Sequence, residues 1–489
     1  MLSPLDPKHW DAVKAAHLLN RAGFGGTPEQ IDALHKAGFE AALHTVLDAP
    51  DDSQQFPRPA DVAPLDYGAM REQNKMLPEE DRKKKFQEML KADRGKMFGL
   101  ISWWLDRMYR TPNPLREKLT LFWHGHFATS AQKVKQSYLM WQQNEMLRQN
   151  ALGNFGAMTK AVSRDPAMMA YLDTRQSNKA HPNENFAREL MELFTLGIGN
   201  YTEEDIKQAA RAFTGYKIDP RDESFRFVPF QHDDGEKTFF GQTGNFGGDD
   251  IIKMILEKPA CAQFIVKKIW SFFAYENPPR GVLLPLADSF RKQNYEIKPV
   301  MREIFSSAEF YSHAAIRTQI KSPVQWLIGT GKILGYEPPQ GMVSVNALRQ
   351  MGQVPFAPPS VKGWDGGKAW ITTSTLLLRY NLANFALGNG PMNVQPMHNV
   401  TTINKPGRTS FDVQNRTPVD LGKIAPQDLR GDPQKLVAHL TWRLFQSSLT
   451  PHDTQPFVDF LKQKNNDTSD KTIRDLLHLM MSTPQYQLT

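Results

Sequence analysis

Three short clusters in this chain hold residue types that bind metals or move protons. The first is His124-Gly125-His126. Imidazoles two residues apart are a frequent metal-ligand pair in extended segments. On a helix they point roughly 200° apart, so they share a site only if Gly125 relaxes the backbone or the helix ends there. Otherwise one is a core histidine and the other a surface one. The second cluster is His232-Asp233-Asp234, a histidine and two carboxylates able to hold a divalent cation or exchange protons. Its plain reading is a polar turn, since Asp234-Gly235 is turn chemistry in its own right.

The third cluster lies in the stretch from Asn183 to Gly197. Asn185, Arg188, Glu189 and Glu192 recur at i, i+3, i+4 and i+7 and make a polar stripe, while Phe186, Leu190 and Leu193 make an apolar one. Glu189 and Glu192, one turn apart, suit ligation of one metal or bridging of two. The usual Glu-x-x-His partner motif is absent, Glu-Leu-Met-Glu standing in its place, and Arg188 competes for either carboxylate. Glu184/Arg188 and Arg188/Glu192 are equally ordinary i,i+4 pairs on a solvated face.

A fourth stretch, Gly363-Trp-Asp-Gly-Gly-Lys-Ala-Trp370, combines glycines with two indoles. It suits a pocket lid that stacks a sugar or an aromatic group, or a rigid loop docked on the core. It lacks the Gly-Lys-Ser/Thr of a phosphate loop. Gly241-x-x-Gly244-x-x-Gly247 lacks the strand and crossover helix of a dinucleotide site. No Gly-x-Ser-x-Gly elbow occurs.

The elements that must position these residues are mostly helices. Asn183 is an N-cap and Gly197 a C′ glycine for the central stretch. Helical patterns also cover 9–48 (two helices), 79–109, 114–150, 154–172 and 202–215. The last opens on a Thr202/Asp205 capping box. They resume at 249–257, 260–276, 281–293, 297–307, 321–335 and 374–388, with two or three more over 433–485. Period-two alternation in 224–230 and an extended run at 237–240, around Asp234-Gly235, predict one β-hairpin near 224–241. Residues 337–375 read as loop-rich. There are no internal repeats and no βαβ alternation. The expected architecture is mainly α: a large single multi-helical domain with a small inserted β-hairpin. It comprises a main helical part over 1–388, an irregular arm or linker at 389–431 and C-terminal helices over 432–489 packed on the main part.

With 489 residues, 40% apolar and 23% charged, the chain can bury a large core. Its net charge of +7 is mild and not concentrated, which argues against nucleic acid as a partner. The one cysteine, Cys261, excludes an intrachain disulfide and reads as a buried structural thiol. The N-terminus has no hydrophobic signal core, and no run of about 18 apolar residues is present, so no membrane span is expected. Cytoplasm and periplasm both fit.

Taken together, five blocks resemble a bacterial family catalogued as domain of unknown function 1800. They are Ala16-His-Leu-Leu-Asn-Arg-Ala-Gly-Phe-Gly25, Arg116 to Phe127, Asn183 to Gly197, His232 to Gly241, and Pro359 to Ile371. Asp365 departs from the proline expected there. The resemblance spans roughly residues 10–485 and implies one large helical unit. It brings no reaction with it. It also implies a phosphatase- or sulfatase-like protein, encoded nearby, as a partner.

The functional expectation is that His124, His126, Glu189, Glu192, His232 and Asp233 converge on one pocket. His124, His126 and His232 would bind a divalent metal ion. Glu189, Glu192, Arg188 and Asp233 would serve catalysis, and Trp364, Trp370 and Asn185 would bind substrate. That describes a metal-assisted hydrolase. The alternatives are a non-catalytic accessory or binding protein working with the phosphatase/sulfatase-like partner, and a ligand-free salt-bridge network.

Overall fold

The computed structural model describes residues 2–64, 72, 74–338, 341–389 and 419–489. The architecture is mainly α-helical, with two small two-stranded antiparallel sheets. Thr27 caps the Pro28–Ala37 helix through a full capping box with Gln30, and Pro28 occupies the first turn. Three helices form where two were read: Ala12–Ala22, Pro28–Ala37 and Phe39–Leu47. Gly38, at φ +86°, separates the second from the third.

Buried apolar side chains form two clusters. One gathers the three N-terminal helices with residues from Phe155 to Tyr311. The other joins the buried end of the long Glu79–Arg110 helix to the Pro323–Leu334 and Thr373–Leu387 helices and the C-terminal helices. The helices Pro433–Phe445, Pro451–Gln463 and Asp470–Met481 insert Leu436, Leu440, Phe457 and Leu476 into this second cluster. The Pro114–His126 helix lies between the two. Leu115, Leu119, Phe122 and Trp123 enter the first cluster and Leu121 the second. The helix is thus buried nearly all round, and its polar residues Glu117, Lys118, Thr120, His124 and His126 are buried with the apolar ones.

The single hairpin expected near 224–241 is replaced by two. Strand β1 (Tyr216–Ile218) pairs with β2 (Phe225–Phe227), and β3 (Lys237–Phe239) with β4 (Gln242–Gly244). Pro229 opens a 3₁₀ turn that ends β2. Phe240 and Gly241, both at positive φ, make the tight turn between β3 and β4. Asp234-Gly235 turns no hairpin; the Gly235 N–H donates to Asp233 Oδ1. A helix absent from the sequence reading, Met342–Met351, lies inside the loop-rich segment and ends on Gly352 in the left-handed conformation. Of the expected arm at 389–431, residues 390–418 lie outside the described residues, and its last part carries a short helix, Leu421–Ile424, capped by Asp420. Among the described residues no helix is long and apolar enough to cross a membrane.

Candidate functional site

The Pro114–His126 helix, capped by Asn113, stays helical through the His-Gly-His motif, so its two rings face different neighbours. The His124 Nε2 accepts the Phe356 N–H at 2.9 Å, and its ring packs against Trp104, Phe356 and Trp364. Burial pushes its pKa down to about 3, so it is a neutral acceptor. His126 Nε2 lies 2.9 Å from the Phe194 carbonyl oxygen, which can only accept, so this nitrogen carries the proton. Its Nδ1 is then the acceptor for Lys268 Nζ at 3.2 Å. Burial, followed by the Lys268 charge, holds the His126 pKa well below the ordinary value.

Gly125 seats the Trp364 loop. A Cβ on Gly363 would come 2.1 Å from the Gly125 carbonyl oxygen, and one on Gly125 would touch the Trp364 ring at 3.4 Å. The motif thus holds three elements at once: the Phe356 segment, the Trp364 loop and the end of the helix that carries Phe194.

That central helix departs from the expected spacing. It is α-helical over Glu184–Glu189, with the Asn183 side chain accepting the Asn185 N–H, and winds as a π-helix over Leu190–Thr195. The wider turn leaves the Leu193 and Phe194 carbonyls to Lys268 and His126. The carboxylates go elsewhere. Glu192 accepts from the Tyr201 hydroxyl at 2.8 Å. Glu189 is half-buried, its pKa raised by burial and then by Glu192. Arg188 is bidentate to Glu203 (2.8 and 2.9 Å) and also donates to Glu184.

The His232-Asp233 cluster is likewise committed within its own region. Asp233 takes a two-pronged bond from Arg211 (2.7 and 3.1 Å), which holds its pKa below the carboxylate range. His232 Nδ1 pairs with the Thr214 carbonyl at 2.9 Å. The expected convergence of His124, His126, Glu189, Glu192, His232 and Asp233 is therefore corrected. Among the described residues no three His, Cys, Asp or Glu side chains gather as a group able to hold a metal. The stretch Leu190–Thr195 coils more widely than a 3.6-residue period, and His124, His126, Glu192, His232 and Asp233 each have a nearer partner.

The structure instead brings His126, Trp364 and Trp370 to the wall of a cleft of about 810 Å³. It lies between the Pro114–His126 and Pro259–Phe273 helices, the 314–325 segment and the Trp364 loop. Lysines 118, 267, 268, 362 and 368 line it, against only two carboxylates, Glu276 and Asp365, so its potential is positive. Lys118 is fully buried. Its Nζ donates to Gln325 Oε1 at 3.0 Å and sits over the Phe24 and Phe272 rings. Burial, with the Arg21 charge adding to it, brings its pKa down to about 7. Lys268 donates to His126 and to the Leu193 carbonyl, and burial, then Lys362, lowers its pKa to about 8. Among the described residues neither amine forms an ion pair with a carboxylate.

A family model described as "Protein of unknown function (DUF1800)" matches residues 17–488. The chain belongs to this family. No curated protein and no solved structure matches it.

In this DUF1800 protein the cleft-lining amines were the residues that motif reasoning passed over. Their signal was in the sequence nonetheless. Lys118, Phe122 and His126 recur at i, i+4 and i+8, one face that carries an aromatic ring between two basic groups, and Lys268 sits in the largely apolar Pro259–Phe273 helix. A lysine inside such a pattern is sunk in a wall unless its stem carries it out.

Proposed function

We propose that this DUF1800 protein binds an organic anion in the lysine-lined cleft, with Trp364 and Trp370 against the ligand's flat face. One observation carries this reading. Two sunken amines, Lys118 and Lys268, line a roomy cleft without a carboxylate partner among the described residues. A buried charge without a counter-charge is costly, and a bound phosphate, sulfate or carboxylate offsets that cost. Gln319, Gln325, Ser271 and Ser322 add hydrogen-bonding groups along the same wall. The indoles offer apolar faces beside these polar groups, the usual composition of a small-molecule site. This reading displaces metal-activated water as the cleft's chemistry, since ammonium groups repel a cation and both His126 nitrogens are already engaged.

Calorimetry and tryptophan fluorescence with phosphate, sulfate and a phosphorylated sugar test it. The phosphorylated sugar is expected to bind, and Lys268→Gln to weaken it at least about tenfold, the scale of one charge-assisted hydrogen bond. Equal binding by Lys268→Gln removes the proposal.

An accessory role beside a phosphatase- or sulfatase-like partner is favoured by a separate surface. Leu376, Leu377 and Tyr380 stand exposed on the Thr373–Leu387 helix, and Leu479 is exposed on Asp470–Met481, a helix packed against it through Tyr380 and His478. Contiguous exposed apolar side chains mark interaction surfaces. Leu377→Asp is expected to abolish co-purification with such a partner, and retention of the complex removes this second reading.

A further inference from the structure

Anion binding accounts for Lys268 better than for Lys118. The Lys268 amine has two acceptors, His126 Nδ1 and the Leu193 carbonyl, which fix it in place as a donor. Among the described residues Lys118 has one hydrogen-bond partner, the Gln325 amide oxygen, and two aromatic rings beside it. The other charged group that faces it is Arg21, from the Ala12–Ala22 helix. Arg21 is itself buried and donates to the Ala315 and Thr489 carbonyls. A lysine kept only to attract an anion works best charged and wet. Enclosure in a dry wall beside a guanidinium, with no carboxylate, favours the neutral amine and frees its lone pair. That is the environment of a nucleophilic lysine, placed on the wall of a cavity large enough for a metabolite.

We propose that Lys118 forms an imine with an aldehyde or ketone carried by the anionic ligand, whose charged group is held at the Lys268 end of the cleft. The inference rests on the cleft being an anion site. Lys118 and His126, which contacts Lys268, are eight residues apart on one helix, about 12 Å along its axis. Phe122 lies between them, so the ligand class is an extended carbonyl compound with a flat middle and an anionic end. In the step itself, the neutral Nζ attacks the carbonyl carbon and forms the C–N bond while the C=O π pair moves onto oxygen. One amine proton passes to that oxygen. The carbinolamine then loses its C–O bond and the second amine proton as water, leaving C=N. One water is released and no electrons are exchanged.

The test uses the full chain and two probes. Pyridoxal 5′-phosphate carries an aldehyde, a flat ring and a phosphate. Pyridoxine 5′-phosphate has the same ring and phosphate but an alcohol in place of the aldehyde, so it reports anion binding alone. After incubation with the aldehyde, borohydride reduction and peptide mapping locate any adduct. The expected result is an adduct concentrated on Lys118, its yield rising as pH passes through about 7, where this amine loses its proton. An adduct on Lys268, or spread over exposed lysines such as Lys207, overturns the proposal. Binding of pyridoxine 5′-phosphate without a Lys118 adduct overturns the imine alone. Failure of pyridoxine 5′-phosphate to bind overturns the anion reading beneath it. Lys118→Arg, whose guanidinium forms no stable imine, is expected to lose the adduct while melting cooperatively. Should it fail to fold, the wild-type map still decides.

Discussion

Glu117 and Lys118 are neighbours on one helix, both almost wholly buried, and they meet opposite fates. Glu117 accepts from the Trp104 indole at 2.7 Å and from Arg148 at 2.6 and 3.1 Å, and pairs with Arg107 Nε at 2.9 Å. Arg107 in turn pairs with Asp52, and Arg148 with Glu145. On that side every buried charge has a counter-charge. Lys118, one residue on, turns to the cleft and finds an amide oxygen and two rings. Paired buried charge is scaffold: it ties the Glu79–Arg110, Pro114–His126 and Ser137–Gln149 helices together. The unpaired buried amine on the cavity wall is the feature on which the proposed anion site rests.

Breaking the paired side should have the largest effect. Glu117→Ala leaves Arg107 and Arg148 short of a carboxylate and Trp104 without an acceptor. The expected loss is about 3–5 kcal/mol by chemical denaturation. Lys118→Met should act in the opposite direction. The Lys118 pKa falls from 10.5 to about 7 on folding. Between those values the unfolded chain holds a proton that the folded chain releases, so wild-type stability rises with pH through that window and the full cost is present below about 7. The Met variant should therefore be more stable than wild type near pH 6, by ~3–5 kcal/mol, with the gap closing as pH approaches that of the free amine. Denaturation series at several pH values read this directly. A gap that is constant or widens with pH contradicts the unpaired, proton-releasing state of Lys118.

Next is the seat of the Trp364 loop. Gly363→Ala places a methyl group against the Gly125 carbonyl at φ +86°. It should cost about 2–3 kcal/mol and blunt any ligand-induced change in tryptophan fluorescence. Smaller is the pH response of binding. Lys118 and Lys268 lose their charges near pH 7 and 8, so anion affinity should fall about tenfold between pH 6 and 9, as titration calorimetry would read. Smallest of all, Glu189→Gln, away from the cleft lining, should change stability by less than about 0.5 kcal/mol and leave cleft binding unaltered.

Local chemistry determined much of this protein. The helix start at Pro28 was legible because Thr27 can cap the first orphan N–H groups and proline suits the first turn. Thr202 and Asp205 did the same for Glu203–Ala212. The mainly helical architecture followed from 3.6-residue periodicity, and the family from five motif blocks. Helix geometry allowed the divergence of His124 and His126 as one of two readings, and only the packed neighbours of each ring decided for it against the expected convergence. Tertiary structure decided the rest. No local rule announced that Leu190–Thr195 would widen into a π-turn and hand its carbonyls to His126 and Lys268. Nor could spacing show that Asp233 belongs to Arg211, 22 residues away. Lys118 is the sharpest case. Its sequence neighbours say only that it lies in an apolar helix. Whether a carboxylate waits across the gap depends on segments about 100 to 200 residues distant, because burial and partnership are properties of the packed chain and not of the local one.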